Sequence, residues 1–502
     1  MANKYFIIFI LLFFSSLSAQ EVVKKDSLPR FSYSTLAELR AQLEDIFNDP
    51  NFSNAEWGVF IQSLETGEYF YKKNEDKLLM PASNLKLFTT AAGLILLGSE
   101  YKFKTNIYSR GSIDGSILRG DLIVQGRGDP TISGRFYKDD MLKVFNIWID
   151  SLLEIGIDEI DGNLIGDDTE FDDLGLGAGW SWDYESNWFA AQSSAISFND
   201  NCIDIVLKAN KKTKQPLISF MPETKYAVII NKVNVVSGDS ATNIDAYRER
   251  GTNVITVFGS INLKDSIKIF VTVNNPTQYA MVVLQEVLNE RGIKVTGYPI
   301  DIDNMTKPLD YKKLAKLFTH YSVPLKEIVK VINKNSQNFF AEQLLKTIGL
   351  EKEGFGTIEN GVTAADVVFE EMGINPDRMM MVDGSGLSRL NLVTPRQIVT
   401  LLNHMYKSDV FIPFYNTLPI AGIDGTIGTR MKGTRAENNV RGKTGYLGSA
   451  RSLSGYVFTG DGELLSFSVI ANNFNVPYKL VDNIQDLVCL RLANFKRKLS
   501  EE

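Results

Sequence analysis

The chain has 502 residues and a formal net charge of −7, and its composition (44% apolar, 23% charged, 11% aromatic) is that of a globular protein rather than a disordered or fibrous one. This length allows about three domains of ordinary size. The acidic balance argues against nucleic acid as a partner. The chain has two histidines, two cysteines and no His-Glu-x-x-His, Cys-x-x-Cys or Gly-x-Ser-x-Gly motif, so we predict no metal, no cofactor and no esterase-type nucleophile.

Residues 1–19 have the pattern of a secretory signal peptide. Lys4 supplies a positive charge, the run from Tyr5 to Phe14 is apolar, and small residues up to Ala19 suit cleavage. The alternative, a membrane anchor, is disfavoured because about ten apolar residues are too few to cross ~30 Å of hydrocarbon. We therefore predict an exported protein whose mature chain begins near residue 20.

The first part of the mature chain predicts a helix, a hairpin and a second helix. Thr35 to Asn48 is amphipathic, and Gly58 to Leu64 with Tyr69 to Tyr71 has the pattern of two strands around a tight turn. Pro81 to Gly98 predicts a long apolar helix in which Lys86 is the only charged residue. A charge in a segment suited to burial is costly unless it has a task.

Ser83 and Lys86 form a Ser-x-x-Lys sequence in that predicted helix. Positions i and i+3 lie on one helix face, so the lysine amine can reach the serine hydroxyl and act as its base once the lysine pKa is lowered. The pattern alone is weak, because Ser99-Glu100-Tyr101-Lys102 also matches it and is typical of a helix end. The alternative for the first match is a capping serine with a snorkelling lysine.

The middle of the chain, about residues 103–317, is rich in short alternating runs separated by Gly, Asp and Asn, which predict β-strands. Helices dominate from about residue 318, and strands return before a final helix. The predicted late strands and helix are 439–444, 451–458, 464–471 and 479–496. Together with the early hairpin, the late strands can complete one sheet with helices on its faces. We predict an α+β domain built from residues 20–102 and 318–502 and interrupted by a β-rich insertion at 103–317.

Two further elements add weight to Ser83. Lys443-Thr444-Gly445 is the only Lys-Thr-Gly in the chain and lies on a predicted strand, where glycine lets a substrate backbone approach the edge. Ser336-Gln337-Asn338 precedes an apolar helix, although Ser-x-Asn is common and also occurs at Ser197 and Ser260. Taken singly, Ser336 fits a helix cap and Lys443 an exposed strand lysine. The three elements in this order form the set used by serine acyl-enzymes of the penicillin-binding kind.

The chain resembles the class C low-molecular-mass penicillin-binding proteins, the D-alanyl-D-alanine carboxypeptidase/endopeptidase family. The resemblance covers most of the mature chain. It is carried by the three motifs and by five further segments: Leu79 to Thr89, Gly126 to Pro130, Gly166 to Thr169, Asp383 to Arg389 and Leu453 to Tyr456. It implies the serine β-lactamase/DD-peptidase-like transpeptidase fold, a sheet with helices on both faces.

The resemblance also implies the catalytic roles. Ser83 attacks the carbonyl of a D-Ala peptide bond to form an acyl-enzyme, and Lys86, kept neutral by nearby Lys443, takes the hydroxyl proton. Ser336 relays a proton to the leaving amine. Asn338 orients Lys86 and the substrate amide. Water then hydrolyses the ester.

Substrate-binding roles follow in the same way. Lys443 and Thr444 hold the terminal carboxylate, Gly445 admits the substrate backbone, and the N–H groups of Ser83 and Tyr446 form the oxyanion hole. Tyr446 departs from the family, which usually has threonine after Lys-Thr-Gly. We expect this change to affect substrate preference more than activity.

Arg389 and Asp183 are weaker assignments. By resemblance both lie near the side-chain end of the substrate, and Asp183 is a candidate for contacting a diaminopimelate ammonium group. The alternative for Asp183 is a surface acid in a turn.

The implied partners are peptidoglycan stem peptides as substrates and β-lactams as covalent inhibitors, in the periplasm or at the cell envelope, where a peripheral association is compatible with the sequence. The sequence leaves open a carboxypeptidase or an endopeptidase preference. Two alternatives on the same fold are a β-lactamase and a catalytically silent cell-wall-binding protein. A disulfide between Cys202 and Cys489 is also open, although the sequence favours two buried thiols.

Overall fold

A computed structural model of the protein describes residues 32–497. The predicted signal peptide lies outside these residues. Within them, no helix has both the length and the apolar character that crossing a membrane requires.

The elements before the insertion are two helices and three strands: β1 (Ser32–Ser34), α1 (Leu36–Phe47), β2 (Glu56–Ser63), β3 (Tyr69–Lys73) and α2 (Lys86–Leu97). Helix α1 begins where the sequence predicts because Thr35 forms a capping box with Glu38. The Thr35 side chain accepts from Glu38 N–H, and the Glu38 carboxylate accepts from Thr35 N–H at 2.7 Å.

The insertion contains thirteen strands and two helices: β4 (Lys104–Asp114), β5 (Ile117–Gln125), α3 (Lys143–Ile155), β6 (Glu159–Asp161), β7 (Leu164–Asp167), β8 (Cys202–Ala209), β9 (Pro216–Met221), β10 (Val228–Val236), β11 (Asn243–Arg248), β12 (Val254–Asn262), β13 (Ser266–Thr272), α4 (Pro276–Glu290), β14 (Lys294–Val295), β15 (Pro299–Asp301) and β16 (Ala315–Tyr321). The sequence pattern predicts strands for this region, whereas the structure also has α3 and α4, which pack on the sheets and share their core.

The elements after the insertion are six helices and four strands: α5 (Leu325–Lys334), α6 (Asn338–Glu353), α7 (Ile358–Glu371), α8 (Pro395–Lys407), α9 (Phe411–Tyr415), β17 (Arg441–Leu447), β18 (Ala450–Phe458), β19 (Leu464–Asn472), α10 (Tyr478–Asn494) and β20 (Phe495–Arg497). The three late strands and the final helix that the sequence predicts are present within a few residues of their expected ends.

The early hairpin and the late strands form one five-stranded antiparallel sheet in the order β17-β18-β19-β2-β3. Alternate residues of β19 point into two different cores: Ile470 belongs to the core with α2, α5, α6, α7 and α8, and Val469 to the core with α1 and α10. The sheet is therefore covered by helices on both faces, and β17 is an edge strand.

The first and last strands of the insertion, β4 and β16, are neighbours, so the chain enters and leaves the insertion at one place. Strand β16 pairs antiparallel with β4, with Tyr321 opposite Lys104. Both strands belong to a seven-stranded sheet, and two three-stranded sheets, β10-β12-β11 and β13-β8-β9, complete the insertion. The expected boundary after residue 317 falls inside β16.

Cys202 and Cys489 are buried free thiols, as the sequence favours. Burial raises the pKa of both thiols above the ordinary cysteine value, which makes them unreactive.

Candidate active site

Ser83 lies in a tight 3₁₀ turn, Ala82–Leu85, and α2 begins only at Lys86. The sequence predicts one continuous α-helix from Pro81, so the first turn is 3₁₀ where an α-helical turn was expected. Residues three apart eclipse each other in a 3₁₀ turn, which brings Lys86 Nζ to 2.9 Å from Ser83 Oγ. The preceding Ala82 has a φ of +47°, a conformation that costs energy for any residue with a Cβ and is typical of functional sites.

Lys86 is fully buried, and three oxygen atoms surround its amine. Besides Ser83 Oγ, these are Asn338 Oδ1 and the Ser385 carbonyl oxygen, each at 2.6 Å. The Asn338 amide is oriented because its Nδ2 donates to the Phe189 carbonyl oxygen at 2.8 Å. Both 2.6 Å partners can only accept, so they take two N–H groups of the amine. In the neutral amine the lone pair is left facing the Ser83 hydroxyl.

Burial lowers the pKa of Lys86 to about 7, and the carboxylates of Glu342 and Asp383 partly oppose this shift. Burial and repulsion by Lys86 lower the pKa of Lys443 well below its ordinary value. The family resemblance attributes the neutrality of Lys86 to Lys443. Here burial is the largest cause of the lowered pKa of Lys86.

Ser336 and Lys443 form a second pair beside the first. Lys443 Nζ donates to Ser336 Oγ and to the Thr444 carbonyl oxygen, both at 2.8 Å. Ser336, which lies two residues before the start of α6, has a φ of +58°. Asn84 Nδ2 donates to the Lys443 carbonyl oxygen at 2.8 Å, which ties β17 to the turn that carries Ser83. The three predicted motifs therefore meet in one place.

Strand β17 presents its buried face to that turn. A Cβ added to Gly445 would lie 3.0 Å from Ser83 N and 2.6 Å from the Pro81 carbonyl oxygen, so only glycine fits there. Side chains alternate along a strand, and Thr444 and Tyr446 lie on the more exposed face. Thr444 Oγ1 donates to Thr426 Oγ1 at 2.6 Å.

Tyr446 packs against Arg451 on β18, which also packs against Tyr478 at the start of α10. The Arg451 guanidinium carbon lies 4.0 Å from the Tyr446 ring centroid and 4.4 Å from that of Tyr478. The Tyr446 side chain is thus held in a stack on the face opposite Gly445.

The two weaker candidates lie at the periphery. Arg389 is exposed, and its Nη2 would be 2.8 Å from a Cβ on Gly448, so the guanidinium lies against the turn between β17 and β18. Asp183 is exposed in the short 3₁₀ turn Trp182–Tyr184. Its neighbour Trp180 reaches inward, because Trp180 Nε1 donates to Asp383 Oδ2 at 2.9 Å.

Two buried carboxylates near Lys86 were missed as site residues. Glu342 accepts from the N–H groups of Gly384 and Ser385, both at 2.8 Å, and so holds the carbonyl that contacts Lys86. Burial, and next the nearby Asp383, raise the pKa of Glu342 to about 7. Asn338 and Glu342 are four residues apart on α6 and so lie on one face of the helix. This spacing from a predicted site residue is the sequence signal that could have identified Glu342.

One acidic cluster lies in the insertion. Carboxylate oxygens of Asp168, Asp301 and Asp303 lie within 4.8 Å of one another. Protein donors already bind two of them: Thr277 donates to Asp168, and Asn275 Nδ2 donates to Asp301 at 2.6 Å. The cluster is thus stabilised by the surrounding protein.

A hydroxyl nucleophile, a buried amine with a pKa near neutrality and a second serine–lysine pair constitute the machinery of an acyl-transfer enzyme. The D-Ala-D-Ala carboxypeptidase 3 (S13) family matches residues 39–494. The chain belongs to this family. A D-alanyl-D-alanine carboxypeptidase from an Actinomadura species is 32% identical over 476 residues, covering 92% of this chain and 86% of that protein.

Carboxypeptidase DacB from Haemophilus influenzae is 27% identical over 456 residues, covering 89% of this chain and 90% of that one. The crystal structure of penicillin-binding protein 4 from the same organism matches with a TM-score of 0.78 at 25% identity, over 90% of this chain and 99% of that one. The predicted fold class, family and enzyme class, a serine-type carboxypeptidase, are confirmed.

Proposed function

We propose that this protein hydrolyses the terminal D-Ala-D-Ala bond of peptidoglycan stem peptides through an acyl-enzyme on Ser83. The observation that carries the proposal is the environment of Lys86. Its amine has a pKa near 7 and contacts Ser83 Oγ at 2.9 Å, while its other two contacts can only accept hydrogen bonds. A base of this kind can accept the serine proton at neutral pH.

In the first step, Ser83 Oγ attacks the carbonyl carbon and its proton moves to Lys86 Nζ. The tetrahedral intermediate then collapses, the C–N bond breaks, and Ser336 Oγ gives a proton to the leaving amine. The proton that Lys86 took from Ser83 replaces the one that Ser336 gave, which returns Lys86 to its neutral form, while Lys443 Nζ holds Ser336 Oγ in place by a hydrogen bond of 2.8 Å. Water finally attacks the ester carbonyl and gives a proton to Lys86 Nζ, which passes it to Ser83 Oγ as the C–O bond breaks.

The proposed substrate contacts follow from the edge position of β17. Lys443 and Thr444 hold the terminal carboxylate, and Gly445 leaves room for the substrate backbone. The N–H groups of Ser83 and Tyr446 stabilise the oxyanion, and each such donor is worth roughly 3–4 kcal/mol in acyl-transfer sites.

We expect Gly445→Ala to slow acylation by a penicillin about 10²-fold, because the new methyl group would push β17 away from Ser83 N. Gly442→Ala, on the same strand, is the matched control, since its nearest neighbour is the flexible end of the Leu453 side chain at 3.0 Å. Stopped-flow labelling kinetics of both variants check this. Equal acylation rates for the two variants would show that acylation does not depend on the absence of a side chain at Gly445.

Arg389 and Asp183 are proposed to lie at the side-chain end of the stem peptide. Both are exposed. Each adjoins residues that pack beside Ser83: Leu387, before Arg389, shares a small apolar cluster with Ala82, and Tyr184, after Asp183, packs against the same cluster. An acid and a guanidinium at that end suit a zwitterionic diamino acid.

We further propose a two-part organisation and an exported location. The five-stranded sheet with its helices, from residues 20–102 and 318–502, carries the catalytic groups, and the insertion at 103–317 covers one side of the site. The pattern of residues 1–19 supports export to the periplasm or cell envelope.

Incubation of the purified protein with a stem pentapeptide tests the function. We expect stoichiometric release of D-Ala, measured by mass spectrometry, and a covalent adduct with a fluorescent penicillin. A β-lactamase would instead turn the penicillin over rapidly, and a silent wall-binding protein would give neither product. Either of these two results would contradict the proposal.

A further inference from the structure

Helix α6 carries two buried polar side chains, one turn apart, that reach the surroundings of Lys86. Asn338 Oδ1 accepts directly from Lys86 Nζ at 2.6 Å. Glu342 lies four residues later on the same face and is only 3% exposed. Acidic side chains are seldom buried to this degree, and burying one is costly unless its charge is satisfied. Glu342 takes no part in the proton transfers of the proposed mechanism, so its role follows from its contacts.

Both carboxylate oxygens of Glu342 hold the same short segment of backbone. Oε2 accepts from Gly384 N–H and Oε1 from Ser385 N–H, both at 2.8 Å. Thr89 Oγ1 binds this segment as well, by donating to the Gly384 carbonyl oxygen at 2.7 Å. The Ser385 carbonyl oxygen in turn accepts from Lys86 Nζ at 2.6 Å. Glu342 thus fixes the backbone whose carbonyl takes one N–H group of the Lys86 amine.

The contacts of Glu342 favour its ionised form. Each oxygen faces an N–H donor, an arrangement that a carboxylate satisfies fully and that a protonated carboxyl group satisfies less well. Burial, and next the nearby Asp383, raise the pKa of Glu342 to about 7. Glu342 is therefore charged over the same pH range in which Lys86 is neutral and free to act as a base.

The Glu342 charge opposes the effect of burial on Lys86. Burial lowers the pKa of Lys86 to about 7, and Glu342 opposes this shift most strongly, followed by Asp383. Asp383 already accepts from Trp180 Nε1 and from three donors of its own loop. Without the Glu342 charge, Lys86 would be a weaker base than neutral pH requires.

The other charged groups near Glu342 lie on its far side. They line a cavity of about 450 Å³ between α6, α7 and the loop at 172–180, and they are Lys346, Asp172 and Glu359. Lys346 Nζ donates to Asp172 Oδ1 at 2.6 Å and to the Leu174 carbonyl oxygen at 2.9 Å, so this ion pair largely neutralises it. The cation on which the Glu342 charge acts is thus Lys86.

We propose that Glu342 is a positioning residue for acylation: it fixes the Ser385 carbonyl that orients the Lys86 amine, and its negative charge strengthens that amine as a base. The inference rests on the proposed function, in which Lys86 takes the Ser83 proton. As the proton moves to Lys86 Nζ, the amine becomes an ammonium ion. A fixed carboxylate stabilises this ion more than the neutral amine, so it favours the transition state over the free enzyme.

The pH profile of acylation by a chromogenic β-lactam tests the role of Glu342. In Glu342→Gln we expect the rate on the plateau above pH 7 to fall about tenfold and the midpoint of the acidic limb to move down by about one pH unit. The midpoint falls because an ammonium ion without the nearby negative charge loses its proton more readily. The plateau falls because the glutamine NH₂ group must face one of the two N–H donors, which loosens the Ser385 carbonyl.

Gln343→Leu is the matched control. Gln343 is also buried on α6, but it is neutral and donates to the Ser194 carbonyl oxygen at 2.8 Å rather than to the segment at 384–385. This variant should have a lower thermal midpoint and the wild-type pH midpoint. A wild-type pH midpoint in Glu342→Gln, or an equal shift in Gln343→Leu, would overturn the inference, because loss of packing would then explain any slower rate.

Glu342→Asp decides the question if Glu342→Gln does not fold. Aspartate keeps the charge and is shorter by one methylene group, so we expect the wild-type pH midpoint with a slower plateau rate. A plateau rate equal to that of the wild type would overturn the positioning role. A wild-type enzyme that penicillin does not acylate would instead overturn the proposed function.

Discussion

Ser83→Ala is expected to abolish covalent labelling by a fluorescent penicillin and to lower D-Ala release by about 10⁴-fold or more. Ser83 Oγ is the hydroxyl within reach of the Lys86 amine, at 2.9 Å, and removing it leaves that base without a nucleophile to activate. The half-buried position of Ser83 leaves its oxygen open to substrate. A denaturing gel and intact-protein mass spectrometry measure the adduct.

Ser99→Ala is the matched control, because Ser99 is the serine of the second Ser-x-x-Lys sequence in this part of the chain. It lies beyond the end of α2, and its carbonyl oxygen accepts from Lys326 N–H at 3.0 Å. Labelling of this variant should match the wild type. A labelled band that persists in Ser83→Ala would show that another residue is the nucleophile.

Lys86→Met is expected to slow acylation by about 10³-fold, because methionine keeps much of the buried volume but removes the general base. Lys102→Met, the exposed lysine of the second Ser-x-x-Lys sequence, should leave the rate unchanged. Stopped-flow acylation by a chromogenic β-lactam measures both. A Lys86→Met rate within tenfold of the wild type would exclude Lys86 as the base.

The same assignment predicts the pH dependence of the wild-type enzyme. Lys86 must be neutral to accept the proton, and burial lowers its pKa to about 7. The kcat/KM for acylation should therefore be flat above pH 7 and fall about tenfold for each pH unit well below it. A midpoint near the ordinary lysine value would show that Lys86 keeps its proton in the free enzyme.

Much of the sheet was predictable because its signals are local. The hairpin at β2 and β3 and the final strands β18 and β19 follow from alternating or continuous apolar runs bounded by turn residues. Their assembly into one sheet was a reasonable inference from layer packing. The helices α3 and α4 were not predicted, because they lie in a region where short alternating runs and turn residues are the prominent pattern.

The candidate site likewise combines features that local spacing determines with features that depend on tertiary packing. The spacing of Ser83 and Lys86 places them within reach of each other in any helical turn, so the sequence by itself determined that pair. Whether the turn is 3₁₀ or α depends on packing, and the positive φ values of Ala82 and Ser336 are sustained only by the surrounding structure.

The sequence by itself therefore determined the candidate nucleophile and its candidate base, the strand that carries Lys443 and the family. The tertiary structure alone decided the pKa of Lys86, the acceptors Asn338 and Ser385 that direct its lone pair, and the contribution of Glu342. The reason is physical: spacing and periodicity are properties of the local backbone, whereas burial and electrostatics depend on segments that only the folded chain brings together.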